Sequence, residues 1–225
     1  MTQGIAQVLT YAVGVAISPV PIIAIVLMLF TARARENASA FAVGWALALA
    51  AVSGAAYAVA DAGDAATETT AFDTVSWVQI AFGVIFLLLA ARAWRNRPEP
   101  GVEVELPAWM AGIESFTAAK AFGLAVLLVA ANPKNLLLSL GAGSSLAQLG
   151  VSTSEAVVSL LVFVALASAT IAGPVVYYLV RGDRADEQLD AVKGWLVLHN
   201  GAVMTVLLVV LGADLVSKGL PPLGR

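Results

Sequence analysis

The stretch KAFGLAVLLVAANPKNLLLSLGAGSSLAQ, residues 120–148, is apolar over most of its length and carries one charge between its ends, Lys134. An α-helix rises about 1.5 Å per residue, so about 20 residues of this kind cross the hydrocarbon core of a bilayer. Pro133 stands near the middle of the stretch, and proline interrupts the hydrogen bonds of a helix. The stretch therefore predicts a transmembrane helix that is broken near the bilayer centre.

The rest of the chain has the same apolar character. Of its 225 residues, 60% are hydrophobic and 12% are charged, whereas soluble domains carry about 25% charged residues. Apolar runs such as residues 84–89 do not alternate with polar residues, as the strands of a membrane β-barrel do. We therefore predict an all-α polytopic membrane protein. Its six transmembrane helices are expected at about residues 4–31, 38–60, 74–95, 120–148, 155–180 and 195–217.

The distribution of Lys and Arg between the loops predicts the orientation of these helices. Cytoplasmic loops of membrane proteins are enriched in Lys and Arg. With six spans, nine of the twelve basic residues fall on one side, and only Lys218 and Arg225 fall on the other. We predict that the basic side is cytoplasmic and that both termini lie outside the inner (plasma) membrane. The nine residues are Arg33, Arg35, Arg92, Arg95, Arg97, Lys120, Arg181, Arg184 and Lys193.

The N-terminal segment is expected to be a retained span. No Lys or Arg precedes Arg33, whereas a cleaved signal peptide begins with a basic region.

A loop at residues 96–119 divides the chain into two halves of three helices, residues 1–95 and 120–225. The first helix of each half contains proline, and Trp77 and Trp195 are each followed six residues later by glycine. Because each half has an odd number of spans, the two halves enter the membrane from opposite sides. The pattern predicts a 3+3 inverted repeat, an arrangement found in many secondary transporters.

The second part of this loop has its own pattern. Trp109, Ile113 and Phe116 share one face at helical spacing. We predict that residues 107–116 contain an interfacial helix that lies on the cytoplasmic membrane surface.

Both interruptions have the sequence of a helix start. Ser18 precedes Pro19, with Pro21 two residues further on, and Asn132 precedes Pro133. Ser and Asn are favoured N-cap residues, and proline is favoured at the first helical position. Helices 1 and 4 are therefore predicted to be broken, with half-helices whose amide groups and positive dipole ends form an anion or carbonyl-oxygen site. The alternative is a pair of proline kinks satisfied by neighbouring helices.

Lys134 is the most informative single residue. It lies too far from either end of its span for its side chain to reach the membrane surface. Ionisable residues at this depth usually serve function, and no Asp or Glu occurs mid-span to pair with it. Asn135 follows on the same helix. We predict a substrate-binding site formed by Ser18, Pro19, Pro21, Asn132, Pro133, Lys134 and Asn135. The structural alternative for Lys134 is hydrogen bonding to carbonyls freed by Pro133 or Pro19.

Several function classes are disfavoured. The chain has no cysteine and one histidine, so metal sites and bound cofactors are not expected. The basic residues form no single patch, as nucleic-acid binding requires. A nucleophile beside a base is also absent within the spans, so we do not expect an enzyme. His199 is expected near the cytoplasmic end of the last helix, where an interfacial position is favoured over a proton relay.

Three stretches together resemble the GAP family of actinobacterial membrane proteins, the peptidoglycolipid or sulfolipid addressing proteins. They are residues 18–22 (SPVPI), 107–116 (PAWMAGIESF) and 132–138 (NPKNLLL). The Asn-Pro-Lys element alone is similar to the wider LysE-type exporter superfamily. The resemblance implies six helices in a 3+3 inverted arrangement and a role in delivering glycolipids to the cell surface. It supplies no site residues beyond the motif positions.

We therefore predict a flippase-like exporter of envelope glycolipids or other anionic amphiphiles. Its expected partners are the lipid substrate and the membrane, with a homo-oligomer or a larger lipid-export complex as further possibilities. One alternative is a small-solute exporter of the amino-acid type, because an unpaired cation suits a carboxylate-bearing substrate. The other is a non-transporting scaffold in a lipid-export machine, in which Lys134 has a structural role.

Overall fold

The computed structural model describes residues 2–64, 71–96, 110 and 112–220, and every regular element within these ranges is helical. The predicted all-α class is therefore confirmed for this part of the chain. Two short 3₁₀ helices lie at Gly112–Ser115 and Gly182–Ala185. The α-helices are α1 (Thr2–Ala16), α2 (Pro19–Leu29), α3 (Ala34–Asp64), α4 (Ala71–Arg95), α5 (Ala118–Ala130), α6 (Pro133–Gln148), α7 (Thr153–Ala167), α8 (Ala169–Arg181) and α9 (Asp186–Gly219).

Two single helices are long and apolar enough to cross a membrane, over Ala34–Ala62 in α3 and Asp186–Ser217 in α9. Three helix pairs meet the same requirement jointly, which makes up to five spans in the described residues if each pair is one span. The segment predicted at residues 74–95 corresponds to α4, but the side chains of residues 71–79 lie outside the described part. The count of six spans therefore stays a prediction.

The three pairs are α1 with α2, α5 with α6, and α7 with α8, bent by 58°, 71° and 57° respectively. The first two bends are the interruptions predicted at Ser18-Pro19 and Asn132-Pro133. The third bend, at Ser168, was not predicted, because residues 155–180 read as one apolar segment. Pro174 lies six residues beyond the bend within α8. Since proline has no N–H group, it leaves the carbonyl of Thr170 without its helical donor and loosens the first turn of α8.

The two halves of the chain pack into one another. In the first half, α1 packs against α6 and α7, and α3 packs against α5 and α6. The two interruptions therefore meet inside the bundle. The core of the bundle contains large apolar side chains, including Trp45 and Phe41 of α3, Phe86 of α4 and Phe163 of α7.

Helices α4 and α9 form a separate close pair. A Cβ atom added to Gly83 would lie 2.8 Å from the carbonyl oxygen of Gly212, and one added to Gly212 would lie 2.9 Å from that of Gly83. Gly83 also lies beside Val216, and Gly212 lies beside Leu87, so the two helices run antiparallel. Small residues at such a crossing let two backbones touch, which is a common way to join helices in a membrane.

The outer surface of the bundle is strongly apolar. Large hydrophobic side chains are widely exposed on it, for example Leu88 at 65%, Val206 at 64% and Leu161 at 64%. A soluble monomer rarely exposes apolar patches of this extent. Lipid acyl chains are the natural surroundings of these helices, and the protein is a membrane protein.

The described end of the loop between the halves packs against this bundle. Met110 and Ile113 are buried, and the side-chain amide of Asn37 donates to the carbonyl oxygen of Phe116 at 2.9 Å. Ile113 thus points into the protein. Trp109 lies outside the described residues, so the interfacial helix stays a prediction.

Candidate functional site

The first interruption begins at Ser18. The residue has extended backbone angles, φ −118° and ψ 97°, and Pro19 begins α2. The hydroxyl does not cap the amides of α2. Its oxygen instead lies 2.7 Å from the carbonyl oxygen of Val15 and 2.8 Å from Oδ1 of Asn135. Because a hydroxyl has one proton, Ser18 donates to one of these two atoms at a time.

Side chains satisfy the carbonyl groups at the end of α1. The last four carbonyls of a helix have no donor within the helix, and in a membrane no water replaces it. Here each of four successive carbonyls, from Gly14 to Ile17, has a side-chain partner, and most of these side chains belong to the second half of the chain. The partners are Lys134 for Gly14 and Ile17, Ser18 for Val15, and Thr170 for Ala16.

The second interruption has the predicted helix cap. Asn132 has extended backbone angles, and its Oδ1 atom accepts a hydrogen bond of 3.1 Å from the backbone N–H of Lys134. Pro133 begins α6. Asn135, two residues further on, is fully buried and donates through Nδ2 to the carbonyl oxygen of Leu128 at 3.1 Å. Asn135 therefore links α6 to α5 as well as to Ser18.

Lys134 lies at the centre of this arrangement and is 2% exposed. Its Nζ atom donates to the carbonyl oxygens of Gly14 at 2.7 Å and Ile17 at 3.0 Å, and to Oγ of Ser18 at 2.6 Å. All three acceptors belong to the first interruption. The described residues give Nζ no carboxylate partner. Lys134 therefore makes the hydrogen bonds of the structural alternative, to carbonyl groups beside Pro19.

The electrostatic environment of Lys134 differs from the one expected. The sequence predicts that its charge lies beside the positive N-terminal ends of the half-helices. Its ammonium group instead lies at the C-terminal end of α1, among carbonyl oxygens. The C-terminal end of a helix carries partial negative charge and favours a cation. The contact thus offsets part of the unfavourable desolvation of the buried charge.

The seven predicted site residues form one region but contribute in different ways. Ser18, Lys134 and Asn135 are joined directly by hydrogen bonds, and Asn132 fixes the first turn of α6. Pro19 and Pro133 begin the two half-helices, and Pro21 is buried in the first turn of α2. Their role in substrate binding stays a prediction.

The contribution of α8 to the first interruption was not predicted from the sequence. Thr170 Oγ1 donates to the carbonyl oxygen of Ala16 at 2.7 Å, and Ser168 Oγ is buried without a hydrogen-bond partner among the described residues. Neither residue is among the site residues predicted from the sequence. The nearest sequence signal was Pro174, whose effect on a helix is local and does not reveal the neighbour that α8 meets.

An apolar groove of about 550 Å³ reaches this region from the side. Thr170 lines the groove, and its hydroxyl donates to the carbonyl oxygen of Ala16 at the first interruption. Trp195, on the wall, is exposed and stacks on His199 with ring centroids 4.7 Å apart. His199 is exposed, and its interfacial position stays a prediction. The groove is lined by Ile22, Thr170, Pro174, Ala191, Val192, Trp195 and Leu196.

The described ranges contain no group of three or more His, Cys, Asp or Glu side chains placed to hold a metal ion. The polar groups that converge are amide, hydroxyl, ammonium and main-chain carbonyl groups. Such groups can bind an ion or a polar headgroup through hydrogen bonds and charge.

Comparison with known proteins identifies the family. The family model described as Sap, sulfolipid-1-addressing protein, matches residues 8–221, nearly the whole chain. No curated protein and no solved structure has significant similarity to the chain. The resemblance to the GAP and Sap proteins is confirmed, whereas membership of the wider LysE-type superfamily is not shown. The chain belongs to the sulfolipid-1-addressing protein family.

Proposed function

We propose that this protein is a flippase-like exporter that moves envelope glycolipids, or other anionic amphiphiles, toward the cell surface. Its family and its apolar helices fit a membrane protein involved in lipid export. The proposal goes further and assigns the movement of lipid to this chain itself. It also assigns substrate contact to the region of Ser18, Lys134 and Asn135.

One observation carries this proposal. Within the described part of the chain, Lys134 is held by hydrogen bonds and no ion pair, and all three acceptors lie on the opposite interruption. Oxygen atoms of a sulfate or phosphate headgroup can replace these acceptors, because they offer the same kind of bond with more negative charge. Such a contact holds the bundle closed and can be exchanged for a contact with substrate. A carrier needs an element of this kind, with a closed and an open state.

The proposed architecture has six spans in a 3+3 inverted repeat, with both termini outside the inner membrane. It rests on the charge distribution between loops and on the similar bends of α1–α2 and α5–α6. The proposed boundaries are residues 1–95 for the first half, 96–119 for a cytoplasmic linker and 120–225 for the second half.

The test is Lys134→Met, assayed in proteoliposomes with a fluorescent sulfated glycolipid, NBD-sulfatide, as the probe. Movement of the probe between leaflets should fall to the rate of protein-free liposomes, and surface glycolipid should fall in cells that carry only the variant. Lys120→Met is the matched control, because Lys120 is exposed at the start of α5, and it should keep wild-type transport.

Folding must be measured in the same samples. Lys134→Met removes a buried charge but leaves two carbonyl oxygens without donors, and these effects oppose each other. Lys134→Gln keeps two N–H donors without the charge and serves as the second variant. A folded variant of either kind that transports at the wild-type rate would refute the role of the charge.

A second candidate is a scaffold that assists another lipid exporter. It is favoured by the fact that all three N–H groups of Lys134 already have partners within the protein. Purified wild-type protein that moves no lipid in liposomes, while its deletion still depletes surface lipid, would favour the scaffold.

A further inference from the structure

A polar cavity lies beyond the end of α2, on the side of that helix remote from the first interruption. It measures about 350 Å³ and is lined by the end of α2, the 3₁₀ helix Gly112–Ser115 and the first turns of α9. Ligand pockets in proteins range from about 300 to 1,000 Å³, so the cavity is large enough for a headgroup. The lining residues that carry a charge or an aromatic ring are Phe30, Glu114, Asp190 and Lys193.

The charges of α9 place this cavity at the level of lipid headgroups. Charged residues occur in the first turns of α9 up to Lys193, whereas residues 194–213 contain no Asp, Glu, Lys or Arg. An apolar stretch of about 20 residues crosses the hydrocarbon core of a bilayer, so Lys193 lies where α9 leaves this core. Helix α2, with 11 residues, extends about 16 Å from the cavity to the first interruption.

The charged groups of the cavity include both kinds of hydrogen-bonding partner. The ammonium of Lys193 only donates, and the carboxylates of Glu114 and Asp190 only accept. Lys193 Nζ lies 2.5 Å from Oδ1 of Asp190. The side chain of Asp190 is nevertheless 65% exposed, and Glu114 is exposed as well. Because a carboxylate has about four acceptor positions, both acids keep acceptors for a ligand.

Phe30 adds an apolar surface to this polar set. It is 39% exposed, and the Nζ atom of Lys193 lies 5.2 Å from the centroid of its ring. The negative face of an aromatic ring also attracts positively polarised C–H groups, such as those on the face of a pyranose ring. The hydroxyl groups of a sugar each donate and accept hydrogen bonds. A sugar therefore matches the carboxylates, the ammonium and the aromatic ring of the cavity.

A bare anionic headgroup matches the cavity less well. Phosphate and sulfate groups offer acceptors, for which Lys193 is the charged donor of the lining. They carry the same sign of charge as Glu114 and Asp190, which repel them. The lining thus favours hydroxyl groups over a phosphate.

We propose that this cavity binds the sugar headgroup of a glycolipid from the adjoining leaflet, before the lipid reaches the region of Lys134. The carboxylates of Glu114 and Asp190 accept from sugar hydroxyl groups, Lys193 donates to them, and the C–H face of the sugar packs on Phe30. A sulfated sugar keeps other hydroxyl groups for these contacts. This inference rests on the proposed export function, and it narrows the substrate class from anionic amphiphiles to lipids with a sugar headgroup.

Photocrosslinking tests the site without transport. The probe is galactosylceramide with a diazirine in its amide-linked chain next to the headgroup, added to the protein in phosphatidylcholine nanodiscs. The labelled peptides should contain Phe30 or Lys193. An excess of unlabelled galactosylceramide should suppress this labelling, whereas ceramide, which lacks only the sugar, should not. Equal suppression by ceramide, or labelling of these peptides no stronger than that of the rest of α9, would overturn the proposal.

Substitutions of the two acids test the chemistry of the site. Glu114→Ala combined with Asp190→Ala removes both carboxylates and should lower the labelling about tenfold. Glu187→Ala is the matched control, because Glu187 is an exposed acid of α9 outside the described lining of the cavity, and it should be labelled like the wild type. All three positions are exposed, so Tm should stay nearly unchanged in each variant. Equal labelling of the double variant and the control would contradict the proposal.

A second pair of substitutions tests the role of charge. Glu114→Gln combined with Asp190→Asn keeps acceptors at both positions and removes their charge. Phosphatidic acid should not compete with the probe in the wild type, but it should compete in this variant. Competition of the same strength in both proteins would show that the carboxylates do not discriminate against phosphate, and the proposed selectivity would be wrong.

Transport separates this inference from the export function on which it rests. NBD-sulfatide should move more slowly in liposomes with the double alanine variant than in liposomes with Glu187→Ala. Equal movement with the two variants would overturn the role of the cavity and leave lipid export standing. Wild-type protein that is labelled as described but moves no lipid would overturn export and leave the sugar site standing.

Discussion

Thr170→Val tests whether the bend in the α7–α8 pair stabilises the first interruption. The substitution keeps a side chain of similar shape and removes the hydroxyl that donates to Ala16 at 2.7 Å. No other donor to that carbonyl is found in the described residues. Hydrogen bonds between helices in membranes contribute about 0.6 kcal/mol on average and about 1.7 kcal/mol at most, and a carbonyl left without a donor costs about 1 to 3 kcal/mol.

These values predict a loss of about 1 to 2 kcal/mol. For a chain of this length each kcal/mol corresponds to about 2 to 4 °C in Tm, so Tm in detergent should fall by about 2 to 8 °C. The five tryptophans provide a fluorescence signal for the unfolding transition.

The chain offers two controls for this variant. Thr170→Ser keeps the hydroxyl and should keep most of the stability. Thr205 also donates at 2.7 Å, but to Gly201 of its own helix, so Thr205→Val breaks no contact between helices and should leave Tm nearly unchanged. Equal losses in Thr170→Val and Thr205→Val would refute the reasoning, since the contact between α8 and α1 would then contribute nothing of its own.

The remaining predictions concern topology, the helix pair and the helix cap. A cysteine introduced at Asp64 should react with an impermeant maleimide on intact cells and one at Glu103 should not; the reverse labelling would mean that the predicted orientation is inverted. Gly83→Ala should lower stability by about 1 to 3 kcal/mol through overpacking. Gly123→Ala is the control, because an added Cβ there meets nothing within 4 Å, and it should be neutral or stabilising. Equal effects of the two substitutions would show that the α4–α9 contact is not tight. Asn132→Ala removes the helix cap and should lower the stability by about 1 kcal/mol, and Asn132→Ser should restore most of it. Thermal unfolding measures both effects, and an unchanged Tm in the alanine variant would argue against the cap.

Local chemistry explains which parts of the fold could be predicted. The interruptions at Pro19 and Pro133 follow from the proline residues themselves, because a missing N–H and a restricted preceding residue act within one turn. The helical class follows from the length of the apolar segments. These features depend on residues close in sequence.

The bend at Ser168 could not be predicted in the same way. Neither Ser168 nor Thr170 breaks a helix on its own, and Pro174 lies well inside α8. The position of the bend depends on α1, whose Ala16 carbonyl receives the hydroxyl of Thr170. A contact between residues so far apart in the chain is not visible in the local pattern.

The sequence predicted the position of the candidate site, but it offered the hydrogen-bond partners of Lys134 only as an alternative. The depth of Lys134 and its lack of a mid-span acid follow from the sequence. The atoms that satisfy it are main-chain carbonyls of Gly14 and Ile17, and a carbonyl leaves no signature in the residue type. For this reason the sequence favoured the N-terminal ends of the half-helices, and the carbonyl groups at the C-terminal end of α1 were considered only as the alternative.

The close contact of Gly83 with Gly212 has a consequence for biosynthesis. Helix α4 packs chiefly against α9, and about 90 residues separate the end of α4 from the start of α9, which a ribosome takes about 5 to 20 s to translate. During that interval the glycine face of α4 has no α9 to pack against. We expect an insertase or a lipid to shield this face until the last helix leaves the ribosome. A variant truncated before α9 should therefore be recognised by membrane quality control through α4.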